Sequence, residues 1–310
     1  NMYRIIYKKG ELTMQHFKFS LKTIFAVAMA AVVLGFSSCK PDAQREEGAA
    51  NKGEQLEVLY PNWAEGIAFT NLAKAALEDK GYDIKITPLE PGPIYATLAK
   101  GDADLMLDAW LPHTHSDYWD KYGDRINKIG ESFSGGTTGM VVPQYVDVNS
   151  ITELNDHEDM FDGEIVGIGS GAGIHGNTEK AIEEYNLNYE QITSSQSAMM
   201  ASLRKAYNDE EPIIITGWKP HFMWADYDLK YLEYPEEIYP KDVCAIVSRQ
   251  DFQQDFPVFY DFFTNFNLEE DQLYDLMNAI KKGDDELTAA QSWYNDNKEL
   301  VESWMPDEMK

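Results

Sequence analysis

Three tryptophans occupy similar local settings: Trp63 in Tyr60-Pro-Asn-Trp-Ala-Glu65, Trp110 in Leu107-Asp-Ala-Trp-Leu-Pro112 and Trp218 in Thr216-Gly-Trp-Lys-Pro-His221. Each sits at or just beyond the end of a short run that reads as a strand. In α/β sheets such ends open on the crevice where ligands sit. A single tryptophan is as readily a core residue, but three at matching strand ends favour a site. An indole face attracts a cation through its quadrupole, by roughly 0.5–2 kcal/mol per ring. A quaternary ammonium has no N–H to donate, so an aromatic box is its natural receptor.

A second group, Gly169-Ser-Gly-Ala-Gly-Ile-His-Gly176, lies between a strand predicted over 164–168 and a helix predicted over 178–185. Glycines there expose backbone N–H groups beside a helix N-terminus, a geometry that suits a carboxylate or a phosphate. The spacing is neither the dinucleotide fingerprint nor a P-loop, because no Lys-Ser or Lys-Thr follows the glycines. His115, near Trp110, is placed to donate to the same anion, and His113, His175 and His221 border the same cleft. These histidines lie on separate loops with no cysteine partner and no HExxH pair, so neither a metal nor another cofactor is expected. Ser194, Ser195 and Ser197 precede a helix, where capping accounts for at least one of them. Glu65 and Asp108 flank the aromatic positions without an evident catalytic partner. The chain is therefore expected to bind rather than to catalyse.

These residues need a scaffold, and the pattern around them supplies one. Residues 56–60 read as a strand, 64–79 as a helix with Phe69, Leu72, Ala73, Ala76 and Leu77 on one face, and 84–86 as a second strand. Further strands are predicted over 104–108, 140–146, 164–168, 212–216 and 242–248, separated by helical stretches. This alternation indicates α/β layers with a largely parallel sheet. Two such sets appear, and the strand at 242–248 would lead the chain back to the first. The last sixty or so residues read as helical, with Asn267 and Glu270 as a capping box, Gly283 as a stop, and a closing helix over 289–304. These helices are expected on the first set. Cys244, within Val-Cys-Ala-Ile-Val, is expected to be a buried strand cysteine.

Before the first strand, 23–36 is an apolar stretch too short to span a bilayer comfortably, and basic residues precede it. It reads as a secretion signal covering 1–38, with Met14 a candidate start. Phe36-Ser-Ser-Cys39 resembles a lipobox, which makes Cys39 the expected acylated residue and places the domain on the outer face of the cytoplasmic membrane. Residues 39–55 then serve as a flexible tether without an apolar face. Only Cys244 remains after Cys39, so no disulfide framework is available to the domain. The chain carries 53 acidic against 26 basic residues, a net charge of −27. Such a surface repels nucleic acid.

Taken together, Asn62-Trp-Ala-Glu65, Glu90-Pro-Gly-Pro93, Asp108-Ala-Trp-Leu-Pro-His-Thr-His115, Gly171-Ala-Gly-Ile174 and Thr216-Gly-Trp-Lys-Pro-His221 resemble the glycine betaine and proline betaine binding proteins of osmoprotectant ABC importers. The resemblance runs over almost all of 56–306. It implies a two-lobed periplasmic-binding-protein-like fold of type II, with lobe 1 over 56–141 and 245–310 and lobe 2 over 142–244. It also implies a ligand cleft in which Trp63, Trp110 and Trp218 box the trimethylammonium, while Gly173, Ile174 and His115 hold the carboxylate. His113 receives no role. The expected partners are a small zwitterion and a separate permease and ATPase, with the receptor itself a monomer. Choline, which lacks the carboxylate, is the main alternative ligand, and a cell-surface enzyme or sensor on the same fold is the alternative of a different class.

Overall fold

The opening βαβ pattern is present in the computed structural model, which describes residues 53–234 and 238–310. The signal segment and Cys39 lie outside the described residues. Strand β1 (Gln55–Tyr60) leads into helix α1 (Ala64–Asp79) and strand β2 (Asp83–Pro88), which runs parallel to β1. The predicted apolar face of α1 is buried. Ala68, Thr70, Asn71 and Ala75 are buried as well, because later helices cover the rest of it. The helix stops where Gly81 takes φ +84°, a conformation that costs glycine little. The amides of Gly81 and Tyr82 turn back to the carbonyls of Glu78 and Leu77.

Helix α2 (Pro91–Leu98) begins with the proline that suits a first turn, and strand β3 (Leu105–Leu111) follows with every position buried. The strand runs three residues beyond its predicted end at Asp108. Its ladder continues through Trp110↔Cys244 against a strand far along the chain. Trp110 therefore stands inside a strand rather than past it. After α3 (Ser116–Tyr122) comes β4 (Ile126–Pro143), eighteen residues long.

The next stretch contributes β5 (Glu164–Val166), α4 (Gly173–Glu184), β6 (Glu190–Ile192), α5 (Gln196–Asp209), β7 (Ile215–Lys219), α6 (Met223–Asp226) and β8 (Leu229–Tyr231). Helix α4 starts at Gly173, five residues before its predicted start, so the glycine turn itself forms its first turn. Ser195 caps α5 by accepting from the Ala198 amide. Trp218, like Trp110, lies within its strand.

Strand β9 (Asp242–Arg249) returns to the first half, with Cys244 fully buried. The sheet order is β2-β1-β3-β9-β4-β7-β5-β6, with β8 paired to β4. Parallel pairs lie towards both outer ends, while β9 and β4 run antiparallel to their neighbours at the centre. Strand β4 pairs with β9 as far as Gly136↔Asp242 and with β7 from Thr137↔Lys219 onward. One strand thus belongs to both halves.

Helices α7 (Phe252–Asp255), α8 (Pro257–Asn265), α9 (Glu270–Lys282), α10 (Glu286–Asp296) and α11 (Lys298–Ser303) complete the chain. Both α9 and α10 pack on α1, as expected of the C-terminal helices. The capping box of α9 is formed by Glu269 and Gln272, not by Asn267 and Glu270. The Asn267 side chain instead donates to the Glu131 carbonyl at 2.8 Å, a long-range contact that local spacing cannot reveal. The closing helix expected over 289–304 is broken at Asn297, where φ −116° and ψ 27° leave the helical region. Among the described residues no helix is long and apolar enough to cross a membrane.

Phe69 is fully buried and meets Phe266 edge-on at 6.3 Å, linking α1 to the end of α8. Phe69→Ala is expected to cost about 3–5 kcal/mol. Urea titration checks this through a lower midpoint at unchanged slope.

Candidate functional site

The ends of β3 and β7, the middle of β4 and the starts of α1 and α4 meet around a small cavity lined by Trp63, Glu65, Trp110, Thr114, His115, Thr138, Ile168, Ala172, Gly173, Ile174 and Trp218. All six cleft residues singled out in the sequence are among them. Trp63 comes from the N-cap of α1, Trp110 from β3 and Trp218 from β7. Trp110 and Trp218 are buried and Trp63 partly so. The aromatic lining therefore draws on both halves of the sheet.

The turn after β3 is built to present His115. Asp242, at the start of β9, accepts from the backbone amides of His113 at 2.7 Å and Thr114 at 3.0 Å, and from the Thr114 hydroxyl at 2.5 Å. His113 itself is exposed. The Nδ1 of His115 accepts from the Trp110 amide at 3.1 Å and lies 3.3 Å from the Tyr95 hydroxyl. That bond assigns the proton to Nε2. Burial holds the imidazole down to about 3, so it is a neutral donor rather than a cation. Nε2 is buried with no partner.

Across the cavity, α4 begins without a side-chain cap, and among the described residues the amides of Gly173 and Ile174 have no acceptor. A Cβ on Gly173 would lie 1.8 Å from the Thr114 carbonyl oxygen, so only glycine permits this approach of α4 to the His115 turn. Unpaired donors in a buried site are costly unless a ligand meets them. Two adjacent amides at a helix N-terminus and a neutral imidazole N–H suit a carboxylate.

Further bonds join the halves around the cavity. Tyr118 donates to the Gly171 carbonyl at 2.8 Å, the Gln196 side chain accepts from the Ala64 amide at 3.0 Å, and the Trp218 indole N–H donates to Glu65 at 3.0 Å. His221 stacks edge-on to Trp218 at 4.8 Å, accepts from the Met223 amide and is not part of the lining. Burial holds it down to about 3. His175 likewise stands off the lining on α4. The residues not singled out beforehand are Thr114, Thr138, Ile168 and Ala172. Their neighbours in the sequence carried the signal, but nothing local marked their own side chains.

The family described as the substrate-binding domain of the ABC-type glycine betaine transport system matches residues 54–296. The chain belongs to this family. It is similar to the glycine betaine/carnitine transport binding protein GbuC of Listeria monocytogenes, with 37% identity over 145 residues, 45% of this chain and 48% of that protein. The aligned segment thus spans about half of that relative. Among solved structures, the ProX protein of Borrelia burgdorferi superposes with a TM-score of 0.80 at 32% identity, over 83% of this chain and 98% of that one. Lactococcal OpuAC, closed on glycine betaine, superposes at 0.77 with 32% identity, over 81% and 99% of the two chains. The family's α/β binding-protein fold, a curled mixed sheet with flanking helices, is the fold described above.

The buried histidines link folding to pH with a definite sign. Unfolded imidazoles take up a proton near 6.5 while the folded ones wait until about 3, so the unfolded chain binds more protons in between. This contribution is therefore present above 6.5 and is lost as pH falls through that window. Imidazole NMR resonances of His115 and His221 are expected to stay in their neutral positions down to about pH 4. The stability cost of His221→Asn, read from urea midpoints, is expected to shrink as the pH is lowered from neutral to about 5.

Proposed function

We propose that this chain is the extracytoplasmic receptor of an ABC importer and binds glycine betaine, with proline betaine as a second ligand. The observation that carries the reading is that one cavity joins three indoles to three unpaired N–H donors. A trimethylammonium fits against Trp63, Trp110 and Trp218, and a carboxylate fits the amides of Gly173 and Ile174 and the Nε2 of His115. Their separation across one small cavity suits a zwitterion whose opposite charges are close together. GbuC, by its name, serves glycine betaine and carnitine transport, and the lactococcal structure holds glycine betaine, which supports this ligand class.

The lobes that would close on the ligand are the two halves on either side of the partner change in β4, roughly 137–241 against the remainder. Closure around a bridging zwitterion gives a permease a shape that distinguishes loaded from empty receptor. Delivery requires a separate permease and ATPase. Cys39, following the lipobox-like residues, would anchor the receptor to the membrane surface, and radiolabelled fatty acid incorporation lost in Cys39→Ala is the check. The exposed acidic surface is consistent with a monomer working where salt screens its self-repulsion. The family is one of substrate-binding domains of transport systems, which supports a binder rather than an enzyme.

Titration calorimetry of the full chain with glycine betaine, proline betaine and choline tests the ligand. Binding of both betaines with little for choline is expected, because choline leaves the three donors unpaired. Trp218→Ala is expected to weaken glycine betaine by roughly three- to thirtyfold. Equal binding of choline would remove the carboxylate half of the site. No heat with any of the three from folded protein would overturn the reading.

A further inference from the structure

Beneath the indoles lies a pair of acids that the zwitterion contacts proposed above do not use. Glu65, in the first turn of α1, and Asp108, in β3 two positions before Trp110, are both fully buried. Glu65 lines the cavity, and one of its carboxyl oxygens accepts the Trp218 indole N–H at 3.0 Å. Among the described residues its other oxygen, both oxygens of Asp108 and the Trp110 indole N–H make no well-aligned hydrogen bond, although the Trp110 N–H lies near enough to both carboxyls, and the Cys244 thiol to Asp108, to favour their charged forms. The Asp108 carboxyl is packed tightly against the start of α1, since a Cβ on Gly66 would lie 2.9 Å from its Oδ2. An isolated buried carboxylate is costly, and two adjacent ones cannot both ionise freely.

Among the described residues no cation stands near enough to neutralise them. Cys244 of β9 stands beside Asp108, Tyr95 of α2 feels its charge, and Tyr274 of α9 feels that of Glu65. Asp242 is the next acid, and it is engaged by the His115 turn. Burial pushes the Cys244 thiol and the Tyr95 hydroxyl well up and the Tyr274 hydroxyl to about 12, so all three are neutral. His115 and His221 are neutral for the same reason. Burial also pushes Asp108 up to about 7, and burial together with the neighbouring Asp108 pushes Glu65 well up.

We propose that Glu65 and Asp108 act as one electrostatically coupled acid pair whose single negative charge beneath Trp110 and Trp218 makes the cavity select a cation and holds the two indoles in place. The proposal rests on the cation-binding reading above and adds the group that distinguishes a charged trimethylammonium from a neutral group of the same shape. Aromatic faces alone also accept apolar groups, whereas a desolvated negative charge favours only the cation. Both are positioning and selectivity residues, not catalytic ones. A bound cation favours the singly ionised pair, so cation affinity rises as the pH rises towards and through about 7 and falls as the pair is fully protonated.

The test uses the full chain, glycine betaine and 3,3-dimethylbutanoate, in which a carbon replaces the nitrogen. Calorimetry from pH 5 to 8 is expected to show glycine betaine binding strengthening with pH in the wild-type protein, while binding of the neutral-headed analogue does not strengthen. The double variant Glu65→Gln with Asp108→Asn, which removes the charge from both acids, is expected to weaken glycine betaine by roughly tenfold or more while leaving the analogue little changed. Equal weakening of both ligands, or a wild-type pH profile shared by both, would overturn the proposal. The wild-type profile needs no variant, and Asp108→Asn, expected to flatten it, provides a second perturbation. If the wild-type chain does not bind glycine betaine at any pH, the cation-binding reading fails, and this proposal fails with it. If glycine betaine binds without pH dependence or charge selectivity, only this proposal fails.

Discussion

The structure depends on one strand having two sets of partners. The first part of β4 completes a ladder with β9 and the second part with β7, so a single backbone carries hydrogen bonds for both halves of the sheet. Because the bonds of a ladder are cooperative and fixed in register, the halves cannot fold with an arbitrary relation to each other. Thr138 of β4 stands in the cavity wall just after the change of partner. The strands that bear Trp110 and Trp218 are held on either side of it, through β9 in one case and directly in the other.

Around that strand the cavity is assembled from groups that are poor neighbours without a ligand. Indole faces leave no polar partner for water, while the Gly173 and Ile174 amides and the His115 Nε2 are donors without acceptors. Each is held by a contact on its far side: the Trp110 amide on His115, Asp242 on the turn before it, Glu65 on Trp218. Preorganisation of this kind leaves little ordering for a ligand to impose.

Much of this was legible in the sequence for a specific reason. Strand-end tryptophans, a glycine run before a helix and a histidine close behind a tryptophan are local patterns, and the chemistry they suggest depends on residue type. The apolar face of α1 and its Gly81 stop were read correctly because both follow from helical period and from the one residue that readily takes positive φ. The errors share the opposite cause. Strand β3 continues past Asp108 because Cys244, 134 positions later, supplies the partner of Trp110. Asn267 left its expected cap for a carbonyl on β4, and Asn297 divided a helix whose pattern ran unbroken.

The sequence by itself determined the fold class and pointed to six of the residues that line the cavity, since these rest on side-chain chemistry and local periodicity. Only the tertiary structure decided which nitrogen of His115 carries the proton, that Gly173 must be glycine because a carbonyl from the other half presses on it, and that Glu65 and Asp108 are both buried away from water. Those facts depend on distances between residues brought together by the ladder of β4. Charge, tautomer and desolvation are properties of a surrounding, and a sequence specifies the surrounding only after it has folded.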